Sequence, residues 1–97
     1  MRILGIDPGL QKTGWGIIES KGSSLVFVAS GLVRTQASLP LYARLAEIDS
    51  GLTQVVRQWQ PLVAAIEETF VNRNPASALK LGQARGVAML APAMFGI

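Results

Sequence analysis

Two acidic residues each close a short apolar run, Ile3-Leu4-Gly5-Ile6-Asp7 and Leu62-Val63-Ala64-Ala65-Ile66-Glu67. Carboxylates are hard oxygen donors, and a pair held close together suits a divalent cation such as Mg²⁺. The chemistry that such a pair offers is metal-assisted. The chain has no Cys and no His, which removes thiolate and imidazole ligands, His general bases and Ser-His or Cys-His dyads. Any reaction must use carboxylates, Lys, Arg, hydroxyls or a metal. Glu68 follows Glu67 directly, and strand alternation lets only one of the two share a face with Asp7. The strand pattern alone does not say which.

To bring Asp7 and Glu67 together, the two runs must lie side by side. Both are aliphatic and bounded by Gly or Pro, as strands buried on both faces are. Residues 3–7 read as a first strand and 8–14 as a turn in which Pro fixes one φ and Gly permits a positive one. Residues 14–19 read as a second strand, 21–24 as a turn, and 25–35 as a third strand with Gly31 as a bulge. Three strands joined by short turns predict an antiparallel meander. The period then switches over 39–60, where Leu41, Leu45, Ile48, Leu52, Val55 and Trp59 mark one face of an amphipathic helix. Ser38 stands as its N-cap and Pro40 in its first turn. Gln60-Pro61 ends it, the fourth strand runs to Glu67, residues 72–75 form a loop, and 76–91 form a second helix. A strand, hairpin and helix ahead of a fourth strand can place the first and fourth strands parallel. The expected class is α/β, in the order β-β-β-α-β-α, within one domain over residues 1–97.

Composition narrows the setting. The 97 residues are 49% hydrophobic and 15% charged, so a packed core is expected rather than disorder. Nine Lys plus Arg against six Asp plus Glu give a net charge of +3, which permits attraction to a polyanion without demanding it. The N-terminus enters a strand pattern directly and shows no signal peptide. The apolar C-terminal stretch is interrupted by Pro92 and too short to span a bilayer. A cytoplasmic protein is the plain expectation.

Several motifs have two readings. The Asp7-Pro8-Gly9 turn with Thr13-Gly14 is either an ordinary turn or a loop offering backbone N–H groups to a phosphate. Phe70 is either a core residue or a platform on which a nucleobase stacks. Arg73, Lys80 and Arg85 form either a solvated face or a set of phosphate contacts. Ala78, Gly82 and Gly86 recur at four-residue spacing on the second helix. Interior helical glycines cost about 1 kcal/mol each against Ala, so close backbone approach is expected there, from the chain's own sheet or from a second subunit.

Taken together, these residues resemble the RuvC-type Holliday junction resolvases of bacteria. The likeness runs through Leu4-Gly5-Ile6-Asp7-Pro8-Gly9 with Thr13-Gly14-Trp15-Gly16, through Ala65-Ile66-Glu67 with Phe70, and through Asn74-Pro75-Ala76-Ser77-Ala78-Leu79-Lys80-Leu81-Gly82-Gln83-Ala84-Arg85-Gly86. It implies a ribonuclease-H-like mixed sheet with flanking helices. It also implies a homodimeric, Mg²⁺-dependent endonuclease acting on four-way DNA junctions in recombination and repair, alongside branch-migration motor proteins. By the same resemblance Asp7 and Glu67 are catalytic metal ligands, with two Mg²⁺ per site in the complete protein. Phe70, Asn72, Arg73, Asn74, Lys80 and Arg85 are implied to meet DNA, and Ala78, Gly82 and Gly86 to form the dimer contact.

One departure qualifies the resemblance. The family continues through a further strand and a final helix carrying two more catalytic aspartates, and no Asp follows Asp49 here. The expectation is a resolvase fragment, inactive alone. Alternatives are a non-catalytic DNA-binding or dimerisation module, a YqgF-type RNA nuclease, which fits the second-helix motif poorly, and an actin-like ATPase, which needs two duplicated lobes.

Overall fold

Large apolar residues stand side by side in the strands, as at Ile3-Leu4 and Ile17-Ile18, but among the described residues only one face is covered. Leu4 and Ile17 are fully buried and Ile3 and Ile18 half-buried, so the expected burial on both faces is corrected to burial on one. The computed structural model describes residues 1–68 and 74–97. In β1 (Arg2–Asp7), Leu4 and Ile6 are buried while Asp7 is exposed. β2 (Lys12–Lys21) and β3 (Ser24–Arg34) continue as an antiparallel meander, and β4 (Val63–Ile66) lies parallel to β1. The sheet order is β3-β2-β1-β4. The antiparallel meander and the parallel β1–β4 pairing agree with the expected order of elements.

Both helices pack on one face. α1 (Leu41–Trp59) buries Ile48, Leu52, Val55 and Val56, and α2 (Pro75–Ala93) buries Ala84, Ala88, Ala91 and Pro92. With Leu4, Ile6 and Ile17 they form one core cluster. The alanines let α2 lie close beneath the sheet and against α1. The opposite face has no such layer among the described residues: Leu25 and Phe27 are 67% and 68% exposed there.

Four local expectations are corrected. Ser38 does not cap α1, whose N-cap position is Pro40 with no side-chain cap bond. Gly31 is not the bulge: the register slips between Ile17 and Ile18, leaving Val28 as the extra residue of β3. Gly31 instead makes room for an aromatic ring, since a Cβ there would stand 2.7 Å from Trp15 Cζ2. α2 begins at Pro75, and Asn74 caps it by accepting from the Ala76 and Ser77 amides at 2.9 and 3.4 Å. Gly82 and Gly86 meet no neighbour among the described residues, for a Cβ at either would enter open space. Close packing on the chain's own sheet therefore does not explain them.

Gly51 is where a helical glycine is required. A Cβ there would lie 2.5 Å from Val33 Cγ1 and 2.8 Å from Val33 Cγ2, a short branched side chain that cannot swing away. Overpacking of this kind costs about 1–3 kcal/mol, offset by about 1 kcal/mol of helix propensity. Gly51→Ala should destabilise the protein by up to about 2 kcal/mol, read as a lower urea midpoint with unchanged m-value.

Candidate metal centre at the sheet end

Parallel pairing aligns Ile6 with Ile66. One step further, the Glu67 amide donates to the Ile6 carbonyl at 3.0 Å, so Asp7 and Glu67 stand opposite each other on strands about 4.8 Å apart. Because Ile6 and Ile66 share the helix-covered face, the two acids share the other. Both line an open concavity of about 520 Å³ whose remaining walls include Gly5, Gly14, Gly16 and Ala65. Small residues leave its floor free for an ion and a ligand. Glu68 is not part of this lining.

Two exposed carboxylates fit a Mg²⁺ site, because Mg²⁺ is commonly held by one or two carboxylates with water and phosphate oxygens completing the shell. No group of three or more His, Cys, Asp or Glu able to hold a metal occurs among the described residues. The pair can therefore supply part of a shell and leaves most positions to other oxygen ligands. A larger groove of about 660 Å³ between α1 and β3 contains one acid, Glu47. That carboxylate is already engaged by the Gln36 amide at 3.0 Å.

The loop after Asp7 is tied from within. Thr13 is fully buried, and its hydroxyl donates to the Gly9 carbonyl at 2.9 Å and accepts from the Gly9 amide at 3.3 Å. The Gly9 N–H is thus spent on the protein, which argues against a phosphate cradle at that amide. Gly9 itself is sterically necessary, since a Cβ would sit 2.4 Å from the Lys12 carbonyl oxygen. From the other side Thr35 donates to the Leu10 carbonyl at 2.6 Å and accepts from Arg44 Nε at 3.0 Å. Thr13, Thr35 and Arg44 hold the backbone beside Asp7, and Thr35 and Arg44 were missed in the sequence. Only the Thr13-Gly14 pair gave a local signal.

The basic residues divide. Lys80 is exposed and lines a cleft of about 360 Å³ with Ser77, Leu81 and the loop from Gly9 to Lys12. Arg85 turns toward the acids: its Nε donates to the Glu67 carbonyl at 3.3 Å and its Nη1 to Met89 Sδ at 3.2 Å. Ala78, Gly82 and Gly86 form an exposed stripe beside exposed Leu79, Met89 and Leu90. Phe70, Asn72 and Arg73 lie outside the described residues.

A mixed sheet in this order, with helices on one face and acids ending adjacent parallel strands, is a ribonuclease-H-like fold. Residues 3–97 match the family model described as "Crossover junction endodeoxyribonuclease RuvC", and the chain belongs to that family. It is 61% identical over its whole length to a protein of that name from Afipia carboxidovorans, and 59% identical to one from Bradyrhizobium sp.. It covers 57% and 55% of those proteins, so it spans little more than half the length of these relatives. Among solved structures, Thermus thermophilus RuvC in complex with a Holliday junction substrate matches with a TM-score of 0.90 and 30% identity. That match covers all of this chain and 59% of the other.

Proposed function

We propose that this chain is the metal-binding N-terminal part of a homodimeric endonuclease that resolves four-way DNA junctions in the cytoplasm by Mg²⁺-dependent phosphodiester hydrolysis. One observation carries the reading: in a chain of this family, Asp7 and Glu67 end adjacent parallel strands and line one open concavity. Held by Asp7 and Glu67, Mg²⁺ would stabilise charge on a phosphate oxygen and lower the pKa of an attacking water. Asp7 and Glu67 hold metal and do not attack the phosphate. The ties from Thr13, Thr35 and Arg44 keep the Asp7 loop in place.

Substrate contacts and assembly extend the same reading. Lys80, exposed and without an ion pair among the described residues, contacts a backbone phosphate, and Phe70, Asn72 and Arg73 meet the DNA nearby. Asn74 acts on the same segment by capping α2. The exposed stripe of Ala78, Gly82 and Gly86 admits the second subunit, because residues without bulky side chains let two helices approach closely. Branch-migration motor proteins are the expected functional partners.

The test uses the full-length protein, a synthetic four-way junction and a linear duplex of the same sequence. Expected is preferential junction binding with Mg²⁺-dependent paired nicks. Lys80→Gln should reduce the slope of log affinity against log salt by about 0.9, the share of one phosphate contact. Equal affinity for junction and duplex would overturn the substrate assignment.

A further inference from the structure

The second acid stands at the weakest point of the sheet. β4 has only four residues and pairs with β1 alone among the described residues. Just past its end, the Glu67 amide bonds to the Ile6 carbonyl. In a parallel ladder the carbonyl of that same residue would next accept from the N–H two positions beyond Ile6, and that position is Pro8. Proline has no N–H to give. The ladder therefore runs out one bond short, at the residue that carries the carboxylate.

Arg85 supplies a donor at this point. It comes from the middle of α2, whose neighbouring residues Ala84 and Ala88 are fully buried in the core, so the helix is fixed against the sheet. The guanidinium donates through Nε to the Glu67 carbonyl at 3.3 Å, and its other arm donates to Met89 Sδ at 3.2 Å, one helical turn on. The second bond holds the guanidinium along α2. Arg presents several N–H donors on one planar group, so it can make both bonds at once.

We propose that Arg85 is a positioning residue: it replaces the ladder bond that Pro8 cannot make and so fixes where the Glu67 carboxylate stands relative to Asp7. The inference rests on the metal-binding reading of those two acids. It gives Arg85 a different task from the phosphate contact that its charge alone implied. It also accounts for two residues of the family-like segments together, since the Asp-Pro-Gly turn creates the vacancy and the second helix fills it.

The test measures metal and DNA separately on the full-length protein. Mn²⁺ affinity without DNA is read by calorimetry, and junction affinity against salt is read without a catalytic metal. Arg85→Met keeps the aliphatic stem and removes the donors. It should weaken Mn²⁺ binding about tenfold, the lower end for loss of an outer-shell partner, while the salt slope stays that of the wild type. Pro8→Ala in the Arg85→Met background restores an N–H beside the Glu67 carbonyl and should recover part of the Mn²⁺ affinity, or of the folded state should Arg85→Met alone unfold. Unchanged Mn²⁺ affinity with a slope reduced by about 0.9 would make Arg85 a phosphate contact and overturn the proposal. So would a loss that Pro8→Ala does not relieve. A wild-type protein that binds Mn²⁺ but ignores junctions would sink the nuclease reading and leave this one standing.

Discussion

Asp7→Asn in the full-length protein should lower Mg²⁺-dependent junction cleavage by at least about 10²–10³-fold, the range seen when one group stabilising transition-state charge is removed. The amide keeps the shape of the carboxylate and loses its charge, so the fold should be undisturbed at this exposed position. Junction binding measured without a catalytic metal should be retained, because a negative group has been taken away from the path of a polyanion. Glu67→Gln should behave alike. The two acids line the same concavity, so the double variant should lose less than the product of the single losses. Single-turnover cleavage at saturating protein separates the chemical step from affinity. Near wild-type cleavage by Asp7→Asn would remove this carboxylate from the reaction.

The placement of these acids was legible because the signals that set it are local. Each closes an aliphatic run with clear boundaries, and the period change between the runs announces the helix that carries the chain across. The α1 face was readable for the same reason: Ile48, Leu52 and Val55 recur at helical spacing and are buried. What escaped depends on partners distant in the chain. The β3 irregularity falls at Val28, where cross-strand register decides it, and a glycine at 31 gives no local hint that Trp15 lies over it. Thr35 and Arg44 read as unremarkable polar residues until the fold sets one against Leu10 and the other against Thr35. Arg85 was noticed for its charge, whereas its bond to the Glu67 carbonyl appears only once the fold sets α2 against the end of β4. Gly82 and Gly86 left two readings open, and among the described residues nothing lies within reach of a Cβ at either, so packing on the described sheet does not account for them.

Residues 1–97 on their own should not cleave junctions, and should self-associate where the full-length protein forms a defined dimer. The chemical argument starts from the donor count: Asp7 and Glu67 share the concavity, and no third acid joins them among the described residues. The family resemblance implies two further aspartates in a later helix, so this stretch alone should hold a metal weakly. The physical argument starts from the uncovered sheet face. Leu25, Phe27, Leu32 and Val63 are 67%, 68%, 49% and 41% exposed, and strand pairing puts all four on the face away from the helices. Contiguous apolar surface of this kind is rare on soluble monomers and drives association. Among the described residues the outer edge of β4 pairs with no further strand, and such an edge invites another strand. Sedimentation of the 97-residue chain should show oligomers that grow with concentration, and a Mg²⁺-dependent junction assay should show no nicking above background. In the full-length protein the same face should be covered and the species dimeric. Efficient paired nicking by the short chain, lost in Asp7→Asn, would mean that two carboxylates suffice for this chemistry.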